Sequence, residues 1–331
     1  MITDTNETDP GALPLSHRLV AFRIIQLHYL MRSATAPTYR DALQLTAGEV
    51  AVLMSIGFRK ALTASELLRV VGQSKSQVSR TIAPMLAKGH IGRASLRAPL
   101  TLTAEGEALF ARILAQATDN ANRLLADLGE NQLRILVRAM GPMSHAAEQL
   151  LEEAQEAVGA PDRISAYTPA SQQLFSDVTD ISPSSVTARL SALASVLSRS
   201  AALVFRESTS LSGFKWVALA RIAEFDPLRL SELIRITGRD KGQIGRVVDE
   251  LEAEGLVLRH PYETRGKLTL GVTDKGRHAF SIVAEESLRR EAIMLRKVRK
   301  SDRKAVFNTI DVIGRNARAW IAENRGQTAD G

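Results

Sequence analysis

Residues 65–91 read SELLRVVGQSKSQVSRTIAPMLAKGHI, and residues 231–257 read SELIRITGRDKGQIGRVVDELEAEGLV. Just ahead of the first stretch, Thr63-Ala-Ser-Glu66 is a capping box, with the Thr63 hydroxyl placed to accept from the backbone N–H three residues on. A helix with Leu67, Leu68 and Val71 on one face follows, and Gly72 is expected to end it in a left-handed conformation. Ser74-Lys-Ser-Gln77 is a second capping box almost at once. Its helix carries Val78, Ile82 and Leu86 at helical spacing and stops at Gly89. Two short helices joined by a tight Gly-containing turn make a helix-turn-helix. Ile91 to Ser95 then predicts a strand, Arg97 a basic tip, and Leu100-Thr-Leu102 the return strand, so that a β-hairpin wing is appended. The second stretch repeats the plan. Asp240-Lys-Gly-Gln243 caps its second helix, Gly255 stops it, and Val257 to His260 opens a longer wing that carries Arg265 and Lys267 and returns through Leu268-Thr-Leu270.

Working outward, residues 47–93 align with 213–259 without a gap at a constant offset of 166. Leu53/Leu219, Ser65/Ser231, Glu66/Glu232, Leu67/Leu233, Gly72/Gly238, Lys75/Lys241, Gln77/Gln243, Arg80/Arg246 and Gly89/Gly255 are among the identical pairs. Thr103-Ala-Glu-Gly106 matches Thr273-Asp-Lys-Gly276 at an offset of 170, so the second copy holds four more residues in its wing. The chain is read as two copies of one unit, and two copies of one unit point to an internal pseudo-dimer.

Amphipathic helices flank each copy. Leu15 to Arg32 reads as an opening helix, and 104–127 and 131–157 as closing helices with a break at Gly141-Pro142. The matching segments in the second half are 184–207, 274–298 and 302–324, the last capped by Ser301. Residues 158–183, rich in Ser, Thr, Pro and Asp, read as a linker. The expected organisation is a flexible start (1–13), a first domain (14–157), the linker, a second domain (184–325) and a flexible end (326–331). The fold class is mainly α: two winged helix-turn-helix heads with small hairpin wings on a shared helical, dimerisation-like body.

The 331 residues carry a formal charge of +7, and the sequence pI of about 9.8 favours a polyanionic partner. The absence of cysteine excludes disulfides and thiolate metal sites. The polar, acidic N-terminus MITDTNETDPGALP has no apolar core of a secretion signal, and the longest apolar runs fall short of a membrane span, so a cytoplasmic location and no membrane contact are expected.

A recognition helix puts its N-terminal residues into the major groove of double-stranded DNA. The candidates are Ser74, Lys75, Ser76, Gln77, Ser79 and Arg80 in the first copy, and Lys241, Gln243 and Arg246 in the second. Gln pairs bidentately with adenine, and Arg or Lys with guanine. Arg97, Arg265 and Lys267 are the wing candidates. Residues 47–103 carry eight Lys/Arg and two acids, whereas 213–273 carry ten and nine, so the first copy should hold phosphates more strongly. The basic run Arg289 to Lys304 reads as a solvated helix face.

With these pieces in place, the pattern resembles the MarR family of bacterial regulators. The resemblance rests on Leu211-Ser-Gly-Phe-Lys-Trp-Val-Ala-Leu219 and its weaker counterpart Leu45 to Leu53, on the two helix-turn-helix stretches, and on LTAEG at 102–106 and VTDKG at 272–276. It implies a DNA-binding transcriptional regulator that reads DNA with the second helix of each head and reaches the minor groove with its wings. It implies a repressor released by a small aromatic or anionic effector, for which His17, Arg23, His28, Arg32 and Tyr39 are candidate ligands. Family members work as homodimers; two copies in one chain would supply both halves covalently, leaving a protein monomeric in chain count. Pro84 inside the first recognition helix, and Gly242 and Gly245 in the second, depart from the pattern. They leave open an alternative, a structural or protein-interaction module with one or both heads degenerate.

No enzyme is expected. Gly238, Gly242 and Gly245 do not form a nucleotide-binding loop, and no Ser, His and acid combine into a hydrolase pattern. No cofactor is called for, and the six histidines show no zinc spacing, so no metal site is expected.

Overall fold

The computed structural model describes residues 14–71, 75–159, 165–167, 169–209, 211, 214–237, 239, 241–261 and 268–327. The chain opens with α1 (Leu15–Arg18), α2 (Val20–Leu43), α3 (Ala47–Arg59), α4 (Ala64–Val71) and α5 (Lys75–Ala87). The short strands β1 (Ile91–Gly92) and β2 (Thr101–Leu102) precede the long helices α6 (Ala104–Leu124) and α7 (Glu130–Ala157). After α8 (Pro169–Ser176) and α9 (Pro183–Thr209) come α10 (Lys215–Glu224), β3 (Leu228–Arg229), α11 (Leu230–Thr237) and α12 (Lys241–Ala253). β4 (Val257–Pro261), β5 (Leu268–Val272), α13 (Asp274–Leu295) and α14 (Lys300–Gln327) complete the order.

Two compact units emerge. The Trp216 unit comprises the residues up to Leu30, Arg138–Ala166 and Leu190–Ile310; the Leu53 unit comprises Met31–Val137, Tyr167–Arg189 and the residues from Asp311 onward. Each unit thus draws on parts of α2, α7, α9 and α14.

In the Leu53 unit, the core is Val52, Leu53 and Ile56 of α3, Leu67 of α4, Val78, Ile82 and Met85 of α5, Ile91 and Leu100 of the hairpin, and Leu109 and Ile113 of α6. Each such side chain contributes about 1.5–3 kcal/mol on burial. Val78, Ile82 and Met85 follow a spacing of four and three; Leu86, expected in the core, lies at the margin of that stripe and is only partly buried. In the Trp216 unit, Leu219, Ile222, Leu228, Leu233, Ile244, Val248, Leu251 and Val257 are all buried. They are the positions paired by the offset of 166 with Leu53, Ile56, Leu62, Leu67, Val78, Ile82, Met85 and Ile91. Trp216 packs edge-on against Phe22 with ring centroids 5.8 Å apart, and against Phe205 at 4.8 Å.

The sheets are small. β1 pairs antiparallel with β2 in the register Ile91↔Leu102 and Gly92↔Thr101, and Leu62 bridges to Leu100. The other sheet has the order β3-β5-β4, with Leu228↔Leu270 and Val257↔Val272 in register. The first strand is two residues long instead of running to Ser95, because the chain turns away at Ala94. The Thr63 capping box forms as read: Glu66 N donates to Thr63 Oγ1 at 3.2 Å, and Thr63 N donates to the Glu66 carboxylate at 2.8 Å. Gly89 (φ 72°) and Gly255 (φ 70°) follow α5 and α12 in the left-handed region, where a β-carbon is strained. Gly72, Ser74 and Asp240 lie outside the described residues.

Further local expectations are corrected. The opening helix is interrupted at Leu19, and α2 then runs on to Leu43. α7 passes through Gly141-Pro142 without a break, because Ala139, Met140, Met143 and Ala147 are buried on either side and hold the helix together. Ser301 lies inside the first turn of α14, which starts at Lys300. The stretch expected to be a linker, 158–183, contains a helix, α8. It is held from α9 by Arg189, 1% exposed, whose guanidinium donates to the carbonyls of Leu174 (2.7 Å), Asp177 and Asp180 (2.5 Å). Burial pushes the pKa of this guanidinium down. α9 is long and apolar enough to cross a membrane, and its residues Leu190, Leu193, Val196, Leu197 and Phe205 are buried in the Trp216 unit.

The break at Leu19 is closed from α13. Glu291 accepts from Val20 N with both carboxylate oxygens, at 3.0 and 2.9 Å, and so caps the start of α2. Burial raises its pKa from 4.5 to about 7, against the opposing pull of the Val20 and Ala21 N–H groups and of Arg23 and Arg303. Below the ordinary carboxylate range the folded and unfolded forms are both protonated. As pH rises from 4.5 through about 7 the unfolded chain ionises first, so the folded state loses stability, on the order of 3 kcal/mol in all. Urea unfolding followed by Trp216 fluorescence at pH 5 and pH 8 measures this loss. Glu291→Gln should flatten the difference, and an unchanged difference would assign it elsewhere.

Candidate nucleic-acid interface

α5 is amphipathic in a useful way. Its core side is fixed by Val78, Ile82 and Met85, and this turns Ser76, Gln77, Ser79 and Arg80 outward, where all four are exposed. Lys75 opens the helix. Arg80 Nε donates to Ser76 O at 3.2 Å, and Thr81 Oγ1 donates to Gln77 O at 3.1 Å, so the polar side chains lie along the helix. Pro84 sits within α5 without ending it. An open cleft of about 430 Å³ runs beside this face, lined by Thr46, Gly48, Glu49, Gln77, Arg80 and Pro84. In the same unit Arg97 is exposed on the turn between β1 and β2.

In the Trp216 unit α12 repeats the arrangement. Ile244, Val248 and Leu251 are buried, while Lys241, Gln243 and Arg246 are exposed. Arg239, two residues ahead of α12, donates to the Gln243 side chain at 3.3 Å. Gly245 has open space where a β-carbon would be, so packing does not require a glycine there. Arg265 and Lys267 lie outside the described residues.

The two helices differ in what holds their C-terminal halves. Glu49 of α3 pairs with Lys88, just past α5, at 3.6 Å. Lys215 of α10 pairs with Glu254 at 2.5 Å and with Glu250 at 2.9 Å. Positions 49 and 215 correspond across the repeat, as do 88 and 254, so the same bridge occurs with its charges exchanged. Burial pushes the Glu49 pKa up, but the hydrogen bonds from Thr46 and the charge of Lys88 outweigh it and hold the carboxyl below its usual value. The hydrogen bonds to Glu254 and Glu250 raise the pKa of Lys215. Arg259 is tied to both Asp249 and Glu252. Its counterpart Arg93 donates instead to Leu96 O at 3.1 Å, and positions 83 and 86 are Ala83 and Leu86 where the second copy has those two acids.

The five candidate effector residues are divided between the two units. In the Trp216 unit Arg23 Nε donates to His17 O at 2.7 Å, and the Arg23 guanidinium lies 4.7 Å from the centre of the Phe307 ring. His28 lies beside Tyr29, with ring centroids 6.1 Å apart. Arg32, which is exposed, and Tyr39 belong to the Leu53 unit. Burial raises the Tyr39 pKa against a hydrogen bond with Asn120, and the ring packs on the α3–α6 core.

The sequence reading missed a different group in the Trp216 unit. Arg221 is 1% exposed. It donates to Gln26 Oε1 at 2.7 Å, pairs with Glu224 at 3.5 Å, and lies 4.6 Å from the centre of the Phe22 ring. Together with Tyr29, Phe214 and Trp216 it lines a narrow cavity of about 10 Å³, large enough for one water molecule. Arg239 lies over Tyr29 (4.2 Å) and Phe214 (3.9 Å), and Gln26 Nε2 donates to Ile236 O at 2.6 Å at the end of α11. An arginine between Leu219 and Ile222, on the buried side of α10, was the available signal. Among the described residues, no group of three His, Asp or Glu is placed to hold a metal ion.

The sequence model of the MarR family matches residues 211–264, the segment that spans α10 to β4. None of the curated proteins matches the chain. Two of the similar solved structures carry the family's name. One is a MarR protein from Peptoclostridium difficile, 19% identical, covering 36% of this chain and 79% of its own, with a TM-score of 0.35. The other, from Listeria monocytogenes, is assigned to the MarR family of transcriptional regulators and is in complex with a 26mer DNA. It is 20% identical and covers 38% of this chain and 85% of its own, with a TM-score of 0.36.

Proposed function

We propose that the chain is a sequence-specific, double-stranded-DNA-binding transcriptional regulator with two MarR-like winged helix domains, 14–157 and 184–325, fused in tandem through 158–183. MarR family proteins are DNA-binding transcription regulators, not enzymes, and no catalytic role is assigned. The observation that carries the reading is the exposed row Ser76, Gln77, Ser79 and Arg80 on a helix whose other side is fixed in a core, matched by Lys241, Gln243 and Arg246 in the segment where the family match falls. Ser74, Lys75 and the wing residues Arg97, Arg265 and Lys267 complete the proposed DNA contacts.

In this reading the two heads form a covalent pseudo-dimer on an imperfect palindrome with half-sites about one helical turn apart, roughly 34–36 Å. The protein acts in the cytoplasm as a repressor that a small aromatic or anionic effector releases. His17, Arg23, His28, Arg32 and Tyr39 are the proposed effector contacts, and a further candidate place is the cavity of about 10 Å³ walled by Tyr29, Phe214, Trp216 and Arg221. It must widen to admit a ligand, since ligand pockets are commonly some 300–1,000 Å³. A second reading, in which only the α5 head reads DNA, is favoured by the acids that occupy Lys215 and Arg259.

Selection of duplexes from a random pool, followed by titration over a range of salt, tests the proposal. The logarithm of affinity should fall linearly with the logarithm of salt, by about 0.9 per phosphate contact. Failure to retain any duplex even at the lowest salt would leave the interaction-module reading in its place.

A further inference from the structure

The turn between β1 and β2 carries a feature that the DNA-reading face does not use. Ala98 N donates to Ser95 O at 3.1 Å, and Arg93 Nη1 donates to Leu96 O at 3.1 Å, so Ser95-Leu96-Arg97-Ala98 is a closed turn held from the base of the hairpin. At its tip Leu96 is 79% exposed. Single apolar side chains on a surface are common, and exposure alone decides nothing. The surroundings decide more. Between Glu66 and Glu105 the chain holds six Lys/Arg and no acid. The second copy ties Arg259 to Asp249 and Glu252, whereas Arg93 is spent on shaping the tip. An apolar point flanked by Arg93 and Arg97, in a stretch whose only charged residues are cations, is complementary to a polyanion with an apolar interior, that is, to stacked base pairs between phosphate rails.

We propose that the first hairpin deforms the DNA it binds: Leu96 enters the minor groove as a wedge and partly unstacks one base step, while Arg97 and the phosphates fix its position. Apolar wedges of this kind kink duplexes by about 20–90°. Arg93 is a positioning residue that holds the tip rigid enough to enter. The inference rests on the DNA-binding reading of the first copy, and the test separates the two.

The full chain is bound to a duplex selected from a random pool, with fluorophores at both ends and 2-aminopurine walked through the site. The wild type should shorten the end-to-end distance and brighten 2-aminopurine at one step. Leu96→Ala should abolish both signals while affinity falls less than about tenfold, and Leu96→Met should retain them. Arg80→Ala should weaken binding yet keep the bend at saturating protein. A straight duplex in the wild-type complex, or a bend unchanged in Leu96→Ala, overturns the wedge and leaves DNA binding standing. Absence of any duplex binding by the wild type removes both.

Discussion

Arg80→Ala is expected to weaken binding to a selected duplex by about 10- to 100-fold, and Arg246→Ala by no more than about threefold, which is the range for one lost base contact against one weakly engaged. Both arginines are exposed at corresponding places on α5 and α12, so the helix geometry does not separate them. The difference comes from the field around each. Residues 47–103 present eight cations against two acids, and 213–273 present ten against nine. Several of the latter cations already face carboxylates, as Lys215 does with Glu250 and Glu254. Coulomb attraction to a phosphate is largely cancelled when a carboxylate sits within a few ångströms of the cation. Fluorescence anisotropy of labelled duplex with each full-length variant measures the ratio, and equal losses would contradict the asymmetry.

Gly106→Ala and Gly276→Ala should each destabilise their unit by about 3 kcal/mol, the upper end for forced overpacking. A β-carbon at Gly106 would stand 1.9 Å from the carbonyl oxygen of His90, and one at Gly276 would stand 2.0 Å from that of Leu256. Neither oxygen is free to retreat. His90 O accepts from Thr103 N at 3.3 Å, and Leu256 O accepts from Thr273 N at 3.1 Å. Thr103 and Thr273 also cap their helices by accepting from the N–H of that same glycine, at 3.0 Å in both cases. The repeated Thr-x-x-Gly motif is thus one device: the threonine ends the hairpin and starts the helix, and the glycine lets the two elements touch. Urea unfolding reports each loss, through Trp320 for the Leu53 unit and Trp216 for the other. Gly245→Ala is the control, since nothing crowds that position, and it should be neutral or stabilising by about 0.5–1 kcal/mol.

Much of the fold was legible because its signals are local. The Thr63 capping box, Gly89, Gly255 and the apolar positions recurring at the offset of 166 need only neighbours in sequence to be read. The outward face of α5 followed from the inward one. The Thr46–Glu49 capping box that starts α3 was equally local and went unread. Other features depend on partners far along the chain. Arg221 in an apolar helix makes sense only once Gln26 supplies an acceptor, and Arg189 only once the carbonyls of Leu174, Asp177 and Asp180 converge on it. Glu291 reads as a surface acid until Val20 N is found against it. The break expected at Gly141-Pro142 illustrates the converse: a lost hydrogen bond is a local penalty, and the buried residues on either side override it.

The exchanged bridge, Glu49 with Lys88 and Lys215 with Glu254, limits which segments of the two similar stretches can be swapped. Recombination between the halves that moved only the reading helix would set lysine against lysine in one hybrid and glutamate against glutamate in the other. Only a crossover that carries the supporting helix along as well keeps each charge with its complement. Each of α5 and α12 is therefore matched in charge to the helix beside it, and an exchange between them would cost up to about 1 kcal/mol at each mismatched pair.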